Sequence, residues 1–191
     1  MREPKILKRT EFGNPILQTP SKKLTKKEIS SEEIHQLIAD MRHTVSVKKY
    51  GVGIAAPQVG HPVALSVISI KKTPSRPNVK EFESVIINPS FEGLGKKEEM
   101  WEGCISFSAM QSPVFAKAVR YKRIRAKWID EKGISQEEDL DGLIAHVFQH
   151  ETDHLNGILF PERVKDHRSW MNANEYKKMI VSKIKDKKKT D

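Results

Sequence analysis

Residues 149–154, which read Gln-His-Glu-Thr-Asp-His, carry the clearest candidate for chemistry in the chain. Residues four apart on a helix lie on the same face, so His150 and His154 can bind one metal ion while Glu151 reaches a water molecule beside it. This His-Glu-x-x-His pattern is typical of hydrolases in which a metal ion activates water. The pattern therefore predicts a metal site and a hydrolytic reaction.

A tetrahedral metal site with two histidines needs a third protein ligand, and the sequence offers two candidates. A third histidine six residues after His154 is excluded, because that position holds Phe160. Glu175, placed on a later helix, would complete the site of a zinc endopeptidase. Cys104, the only cysteine, would supply a thiolate instead, and Gly103 before it lets backbone pass close to a site.

The composition fits one globular domain of 191 residues that needs no disulfide bond, since a single cysteine cannot form one internally. Residues 1–24 contain no apolar stretch of signal-peptide length, and no stretch approaches the roughly 20 apolar residues of a membrane span. We expect a cytoplasmic protein that does not contact a membrane.

The charge balance is basic, with 34 Lys and Arg against 25 Asp and Glu and a net charge of +9. This balance fits a negatively charged partner, with nucleic acid as the first candidate, and it fits equally a surface charge that only keeps the protein soluble. An alternative function is therefore a nucleic-acid-binding or ribosome-binding domain whose metal is structural. Such a site normally has four Cys or His ligands, and it would have no use for an open coordination position beside Glu151.

Helical spacing of apolar residues predicts a first helix over residues 31–48, with Ser30 as its cap and Glu33 completing a capping box. Residues 51–58 are rich in Gly, Ala and Pro. They predict a shaped loop or a short edge strand rather than a packed helix.

Strands are predicted over residues 62–70 and 84–88, with a turn-prone segment between them. Apolar and basic residues alternate over residues 119–130, which predicts an antiparallel strand with one wet, basic face. Residues 130–133 then form a hairpin turn into another short strand.

The helix that carries the His-Glu-x-x-His pattern is predicted to begin at a cap on Asp139 or Asp141 and to end at Asn156. A last helix is predicted over residues 172–185. The lysines at 187–189 predict a disordered basic end.

Three segments together resemble the signature motifs of the peptide deformylase family: Gly-Val-Gly-Ile-Ala-Ala-Pro-Gln at 51–58, Glu-Gly-Cys-Ile-Ser at 102–106, and 149–154. They occur in the family's order and at similar separations. The resemblance implies an α+β fold, with mixed or antiparallel β-sheets packed around a central helix that carries the metal-binding motif. The helices predicted from apolar spacing over residues 31–48 and 172–185 add an N-terminal and a C-terminal helix to that fold.

The resemblance covers most of residues 5–165. It implies a single catalytic domain over residues 1–165. Residues 166–191 are then expected to form the C-terminal helix and the basic tail.

By the same resemblance, Cys104, His150 and His154 hold one divalent metal ion. A thiolate and two neutral imidazoles leave the site with a single net positive charge, enough to lower the pKa of a bound water. Iron(II) is the expected ion, with zinc, nickel or cobalt as alternatives.

The implied catalytic residues are Glu151, Gln58 and Ile105. Glu151 takes a proton from water and passes it to the leaving amine. The side-chain amide of Gln58 and the backbone N–H of Ile105 donate hydrogen bonds to the oxyanion.

The implied reaction hydrolyses N-formyl-methionyl peptides to formate and a free N-terminus. The residues expected to bind the peptide are Gly51, Val52, Gly53, Ile54, Glu102, Gly103, Leu143 and His146. His146 stands where the family commonly has an apolar residue or an arginine. A monomer is expected, and the basic tail is a candidate contact with ribosomal RNA.

Overall fold

The computed structural model describes residues 2–48, 51–73, 76–109 and 112–181. Its helices are α1 Lys26–Ile29, α2 Glu32–Lys48, α3 Gly142–Leu155 and α4 Ala173–Tyr176. Its strands are β1 Gly53–Ala55, β2 Leu65–Ile70, β3 Phe82–Gly93, β4 Lys97–Ala109, β5 Ser112–Tyr121, β6 Arg123–Ile129, β7 Ser135–Asp141 and β8 Met171–Asn172.

The strands form two antiparallel sheets. One has the order β1-β2-β3-β6-β7 and the other the order β4-β5-β8. Within the described part of the chain, strands β1 and β4 are therefore edge strands, each with a strand partner on one side only. This arrangement confirms the predicted α+β fold with antiparallel sheets.

The two longer helices pack on the five-stranded sheet through separate hydrophobic clusters. Met41 of α2 packs with Leu65, while Phe148 of α3 packs with Ile68 and Ile124. Full burial of a side chain of this size contributes roughly 1.5–3 kcal/mol. Helix α3 also contacts β5 of the second sheet, so it is the element that both sheets position.

The first predicted helix is confirmed as α2, but its predicted cap is wrong. Ser30 is the last-turn cap of α1, and the Ser31 hydroxyl accepts a hydrogen bond from the Ile34 N–H at 3.3 Å. The capping box lies earlier, between Thr25 and Glu28. Two adjacent serines and an unforeseen short helix explain the shift.

The strand predicted over residues 119–130 is divided between β5 and β6, which bend apart at Lys122. Its alternation is confirmed in β6, where Ile124, Ala126 and Trp128 are buried and the basic residues are exposed. Residues 62–70 contribute the shorter β2, and residues 84–88 lie within the longer β3.

Strand β4 was not predicted, although it carries Cys104. Its inward positions hold polar side chains, Glu102 and Ser106 among them, and both are buried. These polar residues hide the apolar alternation that identifies a half-buried strand.

Residues 51–58 form β1 and a short 3-10 turn, so the predicted edge strand is confirmed. Helix α3 begins after Asp141, whose side chain makes no capping hydrogen bond, and ends at Asn156 as predicted.

Within the described residues, the C-terminal helix predicted over residues 172–185 begins as predicted but is irregular. The Asn172 side chain caps α4, and a π-helical turn, Lys177–Val181, follows. The segment is attached to the second sheet through pairing of β8 with β5. The remainder of that prediction, and the basic end at 187–189, lie outside the described residues.

Among the described residues, no helix combines the length and apolar character needed to cross a membrane.

Candidate active site

Three potential metal ligands meet where α3 passes β4. The Nε2 atoms of His150 and His154 lie 3.2 Å apart, and the Cys104 Sγ lies 3.2 Å from the His154 Nε2. The donor atoms of all three residues lie within 4.8 Å of one another. One thiolate and two imidazoles are a suitable donor set for a divalent transition metal ion.

The Cys104 thiol lies in an environment that favours its ionised form. Burial alone would raise its pKa, but the neighbouring His154 and His150 lower that pKa to about 5. A thiolate is the form that binds metal. The charge state of Cys104 therefore fits a metal ligand rather than an inert buried thiol.

Glu102 holds His150 from behind. Its Oε1 lies 2.5 Å from the His150 Nδ1, which leaves the Nε2 atom of that ring facing Cys104 and His154. Burial lowers the pKa of His150, but the Glu102 charge raises it well above its ordinary value. A carboxylate behind a ligating imidazole fixes its tautomer and orientation.

Arg120 connects Glu102 to the helix. Its Nε and Nη2 atoms donate to the two oxygens of Glu102 at 2.6 and 2.7 Å, and its Nη1 donates to Asp153 at 2.8 Å. Arg163 binds the same Asp153 through two further hydrogen bonds at 2.7 and 2.9 Å. The two carboxylates and the two guanidinium groups therefore balance in charge. Through Asp153 they connect α3 to β5, which carries Arg120, and to the segment after α3 that carries Arg163.

Gln149 adds a second attachment of α3 to β5. Its side-chain oxygen accepts from the Tyr121 N–H and its amide nitrogen donates to the Tyr121 carbonyl, both at 2.9 Å. The pair of hydrogen bonds fixes the rotation of the helix, and so the direction in which the ligand face points.

Glu151 is buried beside the three ligand atoms. Its Oε2 has no hydrogen-bond partner among the described residues, and burial raises the pKa of this carboxyl to about 7. It packs so closely on Gly53 that a Cβ at that position would lie 2.4 Å from the Glu151 Oε1. Glycine at 53 is therefore required for Glu151 to occupy this place.

Gln58 presents its amide nitrogen to the same centre. The Ala55 N–H donates to its side-chain oxygen at 2.8 Å, which fixes the amide orientation. Its Nε2 consequently points toward Ser106 Oγ at 3.2 Å and Cys104 Sγ at 3.4 Å. The amide is a preoriented donor at the edge of the ligand cluster.

Ile105 lies where β4 departs from regular pairing. The register between β4 and β5 is interrupted between Gly103 and Ser108. Irregular pairing of this kind is common beside active sites, where it redirects backbone groups.

A cavity of about 730 Å³ opens onto this cluster. Such a volume is typical of sites for small molecules and short peptides. Its lining includes these predicted residues: Gly51, Val52, Gly53, Gln58, Glu102, Gly103, Cys104, Ile105, Leu143, His146, His150 and Glu151. His154 is buried directly behind the other two ligands.

Two residues predicted to bind the peptide have other side-chain contacts. Ile54 packs its side chain into the hydrophobic cluster under α2, because alternate residues of β1 face opposite sides of the sheet, so its backbone is the part that can meet a peptide. Glu102 borders the cavity, but Arg120, His150 and His146 surround both of its oxygens. Its carboxylate therefore supports His150, and its role as a peptide contact stays a prediction.

The alternative third ligand, Glu175, does not join the cluster. It lies at the surface on α4, where the Lys178 Nζ donates to it at 2.9 Å. The residue that lies with His150 and His154 is Cys104, so the third candidate ligand is a thiolate.

Sequence reasoning missed two groups of residues at this site. Arg120 and Asp153 carry the buried ion-pair network, and a signal for Arg120 existed because it shares the inward face of β5 with Ala116 and Ala118. Trp101, Phe115 and Tyr176 line the outer part of the cavity, and no local pattern brings them together.

The fold and the ligand cluster define a metal-dependent hydrolase. Comparison with known proteins specifies the class further, since the family profile described as polypeptide deformylase matches residues 6–170. The chain belongs to the polypeptide deformylase family, whose reaction is removal of the N-formyl group from nascent peptides.

Individual peptide deformylases are similar to this chain over most of its length. The chain is 34% identical over 184 residues to peptide deformylase 2 of Nostoc sp., covering 95% of this chain and 99% of the relative. Among solved structures, it is similar to the Met-Ala-Ser-bound class I type b peptide deformylase from Acinetobacter baumannii, with a TM-score of 0.76, 30% identity, and coverage of 83% of this chain and 98% of the other. The actinonin complex of a peptide deformylase from Synechococcus elongatus gives a TM-score of 0.73 at 32% identity, with 93% and 90% coverage.

Proposed function

We propose that Cys104, His150 and His154 hold the metal ion of this deformylase and that Glu151 moves the proton during hydrolysis. The observation that carries the proposal is the meeting of three buried donor atoms with an unpartnered glutamate oxygen at the end of one cavity. A metal ion bound there would act as a Lewis acid and lower the pKa of a water molecule.

Glu151 serves as general base and then as general acid. Its carboxylate accepts a proton from the attacking water and delivers it to the amine that leaves when the C–N bond of the formamide breaks. Among the described residues the Glu151 Oε2 has no hydrogen-bond partner, so this oxygen is available to accept the proton and to deliver it.

Gln58 and Ile105 stabilise the oxyanion that develops on the formyl oxygen. The Gln58 amide is held by Ala55 before substrate arrives, so it needs little reorganisation during the reaction. The Ile105 backbone N–H supplies the second donor from the irregular part of β4.

The peptide lies between the free edges of β1 and β4. Both strands border the cavity, through Gly53 on one side and Gly103 on the other. An extended peptide can pair with such an edge through its main chain, a mode that does not depend on its sequence. This geometry agrees with an enzyme that accepts many different nascent chains.

The methionine side chain is assigned to the inner wall of the cavity, formed by Val52, Leu143, Val147 and His146. The His146 Nε2 lies 2.6 Å from the Glu102 Oε2. The His146 imidazole therefore adds a polar group to a wall that is otherwise aliphatic.

The direct test is formate release from formyl-Met-Ala-Ser by protein purified without air. The expected products are formate and Met-Ala-Ser. Acetyl-Met-Ala-Ser should give at most a trace of acetate and Met-Ala-Ser, because the buried ligands close the end of the cavity. Cleavage of a peptide bond without formate release would indicate the endopeptidase instead and contradict the proposal.

Iron(II) is proposed as the resident ion. An iron(II) ion with a thiolate ligand and an open position reacts with oxygen, so activity should decay in air together with oxidation of the iron or of Cys104. Nickel-loaded or zinc-loaded protein should not decay by this route. Zinc in the protein isolated from unsupplemented cells, with equal stability in air, would contradict the assignment of iron.

Association with ribosomes is proposed from the charge of +9 and the nascent-chain substrate. The enzyme would then act as a monomer in the cytoplasm, within a catalytic domain of residues 1–165 and a basic extension of residues 166–191. Co-sedimentation with purified ribosomes at rising salt tests the association, which should weaken steeply. Sedimentation that does not change with salt, or no sedimentation, would contradict it.

A further inference from the structure

Three aromatic side chains outside the sequence motifs line the outer part of the cavity. Trp101 lies on β4, Phe115 on β5 and Tyr176 on α4. The Phe115 and Tyr176 rings are stacked with centroids 4.1 Å apart and planes 1° from parallel, and Trp101 meets Tyr176 edge-on at 5.6 Å. We call these three side chains the aromatic shelf.

The aromatic shelf lies on the face of β4 opposite to the metal ligands. Glu102 and Cys104 point toward α3, so the intervening Gly103 and the preceding Trp101 face the other way. The pairing of Gly103 with Phe115 places the Phe115 ring over the glycine, where a Cβ would lie 2.6 Å from the ring. Gly103 thus makes room for the shelf as well as for the substrate.

Two cations border the aromatic shelf. The Lys117 Nζ lies 5.8 Å from the centre of the Trp101 ring. Arg76, from the segment between β2 and β3, lines the same cavity. Burial raises the pKa of the Tyr176 hydroxyl, and the positive charge of Arg76 opposes that rise.

The alternation of an extended peptide decides which substrate residue meets the shelf. Successive side chains of an extended chain point to opposite sides. If methionine points inward, toward Val147 and His146, the next residue points outward, on the side of Trp101 and Tyr176. We propose that the aromatic shelf is the subsite for the residue directly after formyl-methionine, and that it selects aromatic side chains there.

This inference rests on the proposed function and adds a preference that the catalytic centre does not explain. The C-terminal segment becomes part of the substrate site, because pairing of β8 with β5 and stacking of Tyr176 on Phe115 hold Tyr176 at the cavity. An aromatic pair contributes about 0.5–1.5 kcal/mol beyond its buried area, which corresponds to a preference of roughly 2–10-fold.

The test compares formyl-Met-Phe-Ser with formyl-Met-Ala-Ser on nickel-loaded full-length enzyme. We expect kcat/KM to be roughly fivefold higher for the phenylalanine peptide, chiefly through KM. Tyr176→Ala should reduce that ratio to below about two, since the stacking surface is lost, and Tyr176→Phe should keep it. Met179→Ala is the matched control, because Met179 is exposed on the same segment and is not part of the cavity lining.

Each outcome has one meaning. A wild-type ratio near one, or a ratio that Tyr176→Ala leaves at the wild-type value, would overturn the subsite. An equal loss for both peptides in Tyr176→Ala would also overturn it, because that result indicates a structural role. No formate from either peptide would overturn the proposed function together with this inference, whereas formate at equal rates from both overturns the inference alone.

Discussion

The inner and outer halves of the cavity are built differently. The inner half contains Cys104, Glu151 and Gln58, which are buried and belong to three short sequence motifs. The outer half is the aromatic shelf, which is partly exposed and draws its members from three separate elements. The difference indicates that chemistry depends on fixed buried groups, while selection among peptides depends on a surface that can vary without disturbing them.

The largest effects should follow removal of a metal ligand. His154→Ala or Cys104→Ala leaves two donors, so we expect loss of bound metal and no measurable formate release. Metal content by elemental analysis, measured on the same preparation, checks this result.

Glu175→Gln is the matched control for the ligand variants. Glu175 was the alternative ligand, and it pairs with Lys178 at the surface, so the variant should keep its metal. Metal loss in Glu175→Gln but not in Cys104→Ala would contradict the assignment of Cys104 as the third metal ligand.

Gln58→Ala tests the preoriented donor of the inner half. Loss of one oxyanion donor should lower kcat by about 10²–10³-fold with metal content retained. Steady-state kinetics on formyl-Met-Ala-Ser separates kcat from KM. A change in KM alone would mean that Gln58 binds the peptide without stabilising the transition state.

Glu102→Gln tests the support behind the ligands. The amide keeps the size of Glu102 but leaves Arg120 facing a neutral partner in a buried position. We expect metal affinity to fall by about 10–100-fold and the free energy of unfolding to fall by about 3 kcal/mol. Metal titration and denaturant unfolding measure the two effects.

Glu98→Gln is the control for that variant. Glu98 is partly exposed on the same strand, where its Oε2 lies 3.9 Å from the Lys122 Nζ. A surface pair of this kind contributes about 0–1 kcal/mol, so the control should be close to wild type. Equal destabilisation by both variants would show that burial of the Glu102 network has no special effect.

The fold was predictable from sequence where one face of an element is apolar. The alternation of Ile124, Ala126 and Trp128 identified β6, and helical spacing identified α2. The same rule failed for β4, because Glu102 and Ser106 occupy inward positions that the rule assigns to apolar residues. Buried polar residues at a functional site thus conceal the strand that carries them.

The site was predictable where its members lie close in sequence. His150, Glu151 and His154 follow from helical spacing alone, and the structure places Cys104 beside them. Tyr176 could not be foreseen, because its place at the cavity depends on pairing of two-residue β8 with β5. Contacts between distant segments leave no periodic pattern in the sequence.

In the proposed mechanism, His150 and His154 of α3 bind the metal, and Glu151 of the same helix transfers the proton. The variant Glu151→Gln tests this separation of roles most directly. The amide keeps the size of Glu151 but cannot accept a proton. Metal content and kcat should be measured on one anaerobic preparation. We predict metal content equal to wild type with kcat lowered by roughly 10²–10⁴-fold. Turnover within a few-fold of wild type at full metal content would contradict the assignment of Glu151 as the proton-transfer residue.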